Sequence, residues 1–169
     1  MPSPRGPLFL SLALTEAIQQ TPKQAVIIFI PLDTCEEFSV LKSIEHVPVE
    51  VHGKGLDILI NCAGVSATTN ENVAAMSGLG YQLSVNAVGV HHLISGYLPF
   101  LQKGRMKKVI NISTIYPSMT WAQRSDFAFM PAYKISKAVL NALTVQYALS
   151  YKEDGFTFVG NKKPFLPWP

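Results

Sequence analysis

The feature that most constrains this fold is the alternation of short, continuously apolar runs with longer segments of helical spacing. An apolar run of about four to eight residues that is rich in Val and Ile is typical of a strand covered on both faces, as in a parallel sheet. The predicted strands are Ala25 to Ile30, Leu56 to Cys62, Val109 to Ser113 and Phe156 to Val159. Right-handed crossovers between them would give an α/β fold, a three-layer sandwich on a parallel sheet.

Helices are predicted between these strands. They cover Leu8 to Gln20, a segment after Thr34, Ser77 to Gln102 and Pro131 to Tyr151. Thr34 and Glu37 have the spacing of a capping box, in which two side chains satisfy free N–H groups at a helix start. Phe38, Leu41 and Ile44 recur behind it at helical spacing, which supports a helix there.

Composition favours one folded domain. The chain has 169 residues, of which 48% are hydrophobic and 15% charged, and this balance excludes a disordered chain. A net charge of +3 without a basic stripe argues against a nucleic-acid partner. Cys35 and Cys62 suggest neither a disulfide framework nor a Cys-rich zinc site, so a reducing, cytoplasmic compartment is expected.

Membrane and metal partners are also not expected. The apolar run Leu8 to Leu14 imitates the core of a signal peptide only at the short limit, so a helix is favoured. Elsewhere, no uncharged apolar stretch approaches the roughly 18 residues of a membrane span. His91 and His92 are adjacent, so on a helix they point in different directions, and no third ligand is spaced nearby.

Polar residues follow three of the predicted strands. Asp33 comes after the first, the turn Asn61 to Gly64 after the second, and Ser113 and Thr114 after the third. Ligands of open parallel sheets bind beyond the carboxyl ends of the strands. These residues are therefore where a functional site is expected.

Tyr133 and Lys137 form a candidate proton-transfer pair. They stand four residues apart on a predicted helix, so their side chains lie on one face. A tyrosine hydroxyl with a pKa of about 10 is a poor acid or base at neutral pH, but a nearby ammonium stabilises the phenolate. The spacing alone also fits a chance surface pair, and only its context favours chemistry.

That context resembles the short-chain dehydrogenase/reductase family, and most of all its carbonyl-reductase-like branch with the sniffer and C-factor proteins. The motifs are "NCAG", "SVNAVG", "NIST" and "PAYKISKAVLNALTVQYALSYKEDGFTFV", in that order. The resemblance covers roughly residues 33–159. It implies a Rossmann-like fold and hydride transfer between NAD(H) or NADP(H) and a small carbonyl or alcohol substrate.

The resemblance also implies catalytic roles. Tyr133 would be the acid/base, Lys137 would lower its pKa and bind the nicotinamide ribose, and Asn86 would hold a water of the proton relay. The family's substrate-orienting serine corresponds to Thr114, with Ser113 one position early. The interval from Thr114 to Tyr133 exceeds the family's usual one, which implies an inserted loop that either lines a substrate pocket or is a surface excursion.

Cofactor contacts follow from the same resemblance. Asp33 would touch the adenine ring, while Asn61, Ala63 and Gly64 would pass under the adenosine ribose. Cys62 replaces the second Asn of the family's "NNAG" turn.

Two family features have no counterpart in the sequence. No glycine-rich T-G-x-x-x-G-x-G turn occurs, and "GNKKPFLPWP" stands where the family has a Pro-Gly turn. The resemblance thus implies one partial Rossmann-like domain over residues 1–169, incomplete at both ends, with an irregular tail at 1–7 and a divergent tail at 160–169. Binding of NADP or NAD is expected to be impaired, and the alternative is a catalytically silent chain that pairs with a full-length relative.

Association is expected from one helix. No charged residue occurs from Ala138 to Tyr151, so both faces of that helix need apolar partners. One face would cover the sheet, and the other would form a homodimer or a heterodimer with a full-length relative, since two-fold interfaces are the commonest solution.

Overall fold

The computed structural model describes residues 28–47, 53–68, 73–114 and 130–160. The predicted helix Leu8 to Gln20, the inserted loop through Trp121 and the two tails lie outside these ranges, apart from residue 160. Residues 28–31 belong to a first compact unit, Met1–Pro31, and the other described residues belong to a second, Leu32–Pro169. The architecture below is that of the second unit.

A parallel three-stranded sheet forms its centre. β1 (Ile58–Asn61), β2 (Lys108–Asn111) and β3 (Thr157–Val159) lie side by side in chain order. Leu59 is opposite Val109, which in turn is opposite Phe158. These strands confirm three of the predicted apolar runs, each in a shorter form, and with them the α/β class with a parallel Rossmann-like sheet.

Helices alternate with the strands. They are α1 (Glu37–Glu45), α2 (Leu79–Leu83), α3 (Gly89–Lys103) and α4 (Pro131–Ser150), with a 3₁₀ turn at Val73–Ala75 and a π-helical turn at Ser84–Val88 between α2 and α3. Pro131 opens α4, where its fixed φ suits a helix and its missing N–H costs nothing. Among the described residues, no helix is both long and apolar enough to cross a bilayer.

One apolar core lies between the sheet and two helices, α3 and α4. Its buried members come from both helices, from β2 and from the residue just before β3: Val90, Ile94, Leu101, Val109, Leu140 and Phe156. Because successive right-handed crossovers run in one direction across the sheet, α3 and α4 cover the same face. The N-terminal turns of α4 and the π-helical turn are thereby brought to the carboxyl edge of the strands.

The opposite face of the sheet is partly exposed, which contradicts one expectation. Ile60 of β1 is 57% exposed, and Ile112, just beyond β2, is 45% exposed. The prediction that these strands are covered on both faces is therefore wrong within the described residues, because both crossover helices share one face. Residues 28–30, the described end of the predicted first strand, are irregular, and Ile28 and Phe29 are exposed. An apolar run forms a strand only where a neighbouring strand can hydrogen-bond to it, and the apolar pattern alone does not predict such a neighbour.

The start and the buried face of α1 also differ from expectation. The N-cap is Glu36 and no side chain caps the helix, so the predicted capping box is wrong. The Asp33 carboxylate accepts a hydrogen bond from the Cys35 amide at 2.9 Å, which holds this stretch in a turn and delays the helix start. Val40 is buried and, with Ile44, faces Gly96 of α3, whereas Phe38 and Leu41 are exposed, so only Ile44 of the predicted repeat lies on the face that packs on α3.

Candidate active site

A buried chain of polar side chains fixes the carboxyl ends of β1 and β2. The Asn61 amide donates to Asn111 Oδ1 at 2.7 Å, and the Asn111 amide donates to Thr144 Oγ1 at 2.8 Å. The Thr144 hydroxyl in turn donates to the carbonyl of Leu140 within α4. Asn61 Oδ1 has no partner among the described residues. The chain joins both strands to α4, so the relative positions of these three elements are set at the edge where a site is expected.

Asn86 connects three further segments. It lies fully buried in the π-helical turn, a local widening of the helix that is frequent at functional sites. Its Oδ1 accepts from the Val65 N–H, and its Nδ2 donates to the Val65 carbonyl and to Ser136 Oγ, all at 2.8 Å. The Ser136 hydroxyl donates to the Tyr133 carbonyl. Asn86 therefore holds the turn after β1 against the first turns of α4.

Lys137 projects from α4 to the end of β2. Its Nζ donates to the Ile112 carbonyl at 2.8 Å, and the residue is only 4% exposed. Burial lowers the pKa of Lys137, and an electrostatic interaction with Cys62 acts in the opposite direction. One acceptor among the described residues leaves this ammonium with further N–H groups for other oxygen atoms, since a lysine has three donors.

Tyr133 lies one turn before Lys137. The Lys137 Nζ is 5.9 Å from the centre of the Tyr133 ring. Burial raises the pKa of Tyr133, so the hydroxyl keeps its proton at neutral pH. In this state Tyr133 is suited to donate a proton. The lowering of its pKa by Lys137 stays a prediction.

Gly64 completes the group. A Cβ placed on Gly64 would lie 3.2 Å from Asn86 Oδ1 and 3.5 Å from Lys137 Nζ. Any side chain at position 64 would therefore extend into the space beside these two polar atoms. The glycine therefore lets the backbone of this turn lie close to the Asn86 amide and the Lys137 ammonium. Ala63, like Gly64, is exposed in this turn.

The remaining predicted site residues lie on two other segments. Ser113 Oγ donates to Asn141 Oδ1 of α4 at 2.7 Å, and Thr114 follows it beyond the end of β2. Asp33 lies on the turn before α1, where its backbone N–H donates to Ser39 Oγ at 2.9 Å. The structure brings Asn86, Lys137 and Tyr133 close together. No hydrogen bond joins Asp33 to Gly64 or to Lys137 within the described ranges, and its contact with an adenine ring stays a prediction.

Sequence reasoning missed the residues that hold the site in place. Ser136 and Asn141 stand three residues after Tyr133 and four after Lys137, so their place on the same side of α4 was visible in the spacing. Their hydrogen-bond partners, Asn86 and Ser113, are distant in the sequence, so these pairings could not be predicted from the spacing. No cluster of three His, Cys, Asp or Glu side chains suited to a metal ion occurs in the described part of the chain.

Known proteins share this sequence pattern and fold. Residues 11–161 match the family described as short chain dehydrogenase. The short-chain dehydrogenase/reductase AacuF of Aspergillus aculeatus is 30% identical over 127 residues, which are 69% of this chain and 48% of that protein. The chain thus spans about half the length of this relative.

Two solved structures have the same fold. The putative carbonyl reductase Sniffer of Caenorhabditis elegans is 28% identical, with a TM-score of 0.69 over 87% of this chain and 68% of that one. The NADPH-bound carbonyl reductase from chicken fatty liver is 24% identical, with a TM-score of 0.72 over 94% of this chain and 64% of that one. The Sniffer structure agrees with the carbonyl-reductase-like branch that the motifs resemble. The family match covers most of the chain, which therefore belongs to the short-chain dehydrogenase/reductase family of oxidoreductases.

Proposed function

We propose that this chain carries the catalytic half of an NAD(P)-dependent reductase that interconverts a small carbonyl compound and its alcohol. The observation that carries the proposal is the convergence of Gly64, Asn86 and Lys137 at the carboxyl edge of the sheet, with Tyr133 one turn away. A buried ammonium, a protonated phenol and a side-chain-free turn are the groups that proton transfer beside a sugar-linked cofactor requires.

The residues present fit such a cofactor. The space that a Cβ on Gly64 would fill gives the backbone of this turn a close approach to a ribose. Lys137 has N–H groups for ribose hydroxyls, and Asn61, Ala63 and Asp33 would contact the adenosine half. A nicotinamide cofactor would supply or accept the hydride when bound. NADPH is the cofactor of the structural relative from chicken liver, which favours NADP over NAD for a first test.

The chain's own residues would handle the proton. The Tyr133 hydroxyl, protonated at neutral pH, would donate its proton to the substrate oxygen in the reductive direction. The Thr114 hydroxyl would orient that oxygen by a hydrogen bond. Asn86, whose side-chain contacts with Val65 and Ser136 hold the turn and the helix together, would keep Tyr133 and Gly64 in register and would hold a water of the proton relay.

Binding and turnover test this proposal separately. NADPH is titrated while the fluorescence of Trp121 and Trp168 is followed, and reduction of simple aldehydes and ketones is then measured. We expect saturable but weak binding, because no glycine-rich turn occurs in the sequence, and low turnover that Tyr133→Phe removes without weakening binding. Tyr81→Phe is the matched control, because Tyr81 is exposed on α2. Absence of both binding and turnover, or turnover that survives Tyr133→Phe, would contradict the proposal.

A second candidate is a chain that acts by association. The outer side of α4 carries an exposed stripe at helical spacing: Ile135, Val139, Ala142, Gln146 and Leu149. Tyr81 and Val88, on α2 and in the π-helical turn, are exposed as well. Apolar stripes of this kind favour helix-to-helix pairing with a second copy or with a full-length relative.

Sedimentation at micromolar concentration tests the association. We expect a species heavier than one 18.5 kDa chain, which Ala142→Glu converts to the monomer. A single compact monomer that Ala142→Glu leaves unchanged would contradict it. The cytoplasmic location expected from the cysteine content remains a prediction.

A further inference from the structure

A hydrogen-bonded chain of three links runs from the turn after β1 to the backbone of α4. The Val65 N–H donates to Asn86 Oδ1, and Asn86 Nδ2 donates to Ser136 Oγ, both at 2.8 Å. The Ser136 hydroxyl donates to the Tyr133 carbonyl, also at 2.8 Å. Val65 directly follows Gly64, so the chain begins at the turn that would receive a cofactor and ends at the residue that would donate the proton.

The direction of every hydrogen bond in this chain is fixed. A backbone N–H can only donate, so the side-chain oxygen of Asn86 faces Val65 and its side-chain nitrogen reaches Ser136. Asn86 gives its second amide hydrogen to the Val65 carbonyl, and Ser136 gives its one hydroxyl hydrogen to Tyr133. Both Asn86 and Ser136 are fully buried, and no hydrogen of either side chain remains for another partner.

The chain joins segments that are far apart in the sequence. Its first link spans 21 residues and its second spans 50. Hydrogen bonds in a buried chain strengthen one another, so the turn after β1 and the first turns of α4 hold each other in place. Ser95 of α3 makes the same local bond as Ser136, to the His92 carbonyl at 3.1 Å, but it is exposed and joins no second segment in the described part of the chain. The contact with Asn86 therefore distinguishes Ser136 from an ordinary helical serine.

We propose that Ser136 is a positioning residue that couples the turn after β1 to Tyr133, so that a cofactor ribose seated on the turn also fixes the phenol that donates the proton. This inference rests on the proposed reductase function. Ser136 is fully buried and touches neither substrate nor cofactor. Loss of its hydroxyl disconnects the Asn86 amide from the Tyr133 carbonyl, while the hydrogen bonds of Lys137 and Thr144 still hold α4 to β2.

Hydrogen exchange of the chain without cofactor tests the coupling. Ser136→Ala should speed exchange of the Val65 amide by about 2- to 10-fold relative to the amide of Ile94 in the core, the range expected for loss of one hydrogen bond. The effect passes through Asn86, so Ser136→Ala should add nothing further in the Asn86→Leu variant. Ser95→Ala is the matched control and should leave exchange of the Val65 amide unchanged. Equal acceleration of the Val65 and Ile94 amides would mean a loss of global stability alone, and that result, or no acceleration, overturns the proposal.

Cofactor binding and turnover test what the coupling does. Ser136→Ala should weaken NADPH binding by about 2- to 10-fold and lower kcat by up to about 10²-fold, the loss that a displacement of about 1 Å can cause. Tyr133→Phe should lower kcat alone, because it removes the proton donor and leaves the chain of hydrogen bonds intact, and Ser95→Ala should change neither quantity. Unchanged NADPH binding in Ser136→Ala would refute the coupling. A wild-type chain that neither binds NADPH nor turns over refutes the reductase proposal, while the exchange result still decides the role of Ser136.

Discussion

Substituting Gly89 by alanine tests how tightly the segment that carries Asp33 packs against α3. Gly89 opens α3 with ordinary helical angles, φ −59° and ψ −37°, so alanine introduces no backbone strain. Its Cβ would lie 2.8 Å from Thr34 Oγ1 and 2.9 Å from both the Cβ and the carbonyl oxygen of Thr34. Thr34 has little freedom to retreat, because its carbonyl also contacts His92 Nδ1 at 3.3 Å.

Two other glycines provide the scale for this effect. Nothing lies within 4 Å of a Cβ on Gly80, so Gly80→Ala gains up to about 0.5–1 kcal/mol of helix propensity. A Cβ on Gly96 would meet flexible side-chain ends, Val40 Cγ1 at 3.1 Å and Ile44 Cδ1 at 3.4 Å, which can move by a few tenths of an ångström. Gly89→Ala gains a similar propensity but loses about 1–3 kcal/mol by overpacking. The variants should therefore rank Gly80, Gly96, Gly89 in falling stability.

Urea unfolding followed by far-UV circular dichroism measures the ranking. We expect Gly89→Ala to unfold with a free energy about 1–3 kcal/mol below that of Gly80→Ala, because the propensity gain largely cancels between them. Equal stability of the two variants would show that Thr34 does not pack on α3 as described. In that case the placement of the Asp33 turn, and with it the predicted adenine contact, would lose its support.

Three further changes probe the site and its surroundings. Burial lowers the pKa of Lys137, so just below its usual pKa of 10.5 the unfolded chain binds more protons than the folded chain. The stability of the wild type relative to Lys137→Met should therefore rise as the pH rises towards 10.5. Urea unfolding at neutral and alkaline pH measures this change. Asn86→Leu strands the polar groups of Val65 and Ser136 and should lower the unfolding free energy by about 1–3 kcal/mol, measured in the same assay. Gln82→Met should instead stabilise the chain by about 1–3 kcal/mol in thermal or urea unfolding, because neither amide atom of this buried side chain has a partner among the described residues; a less stable Gln82→Met would reveal a partner for the amide.

The sequence partly predicted the exposed stripe on α4, but it did not predict that one face of the sheet is exposed. The absence of charge from Ala138 to Tyr151 indicated that the helix has more apolar surface than one sheet can cover. The exposure of Ile60 and Ile112 depends on which face each crossover helix covers, and the apolar runs themselves carry no such information.

The sequence by itself determined the order of the three observed strands and the helices between them, and the spacing of the Tyr133 and Lys137 pair. Both are local: apolar runs and helical repeats follow from neighbours in the chain, and a spacing of four places two side chains on one helix face. Tertiary structure decided the rest. Which side of α1 is buried depended on its packing against Gly96 of α3, which faces Val40. The hydrogen bond from Ser113 to Asn141 depended on how α4 crosses β2. Contacts between segments 20 or more residues apart are set by packing, because the side chains that meet there share no local pattern.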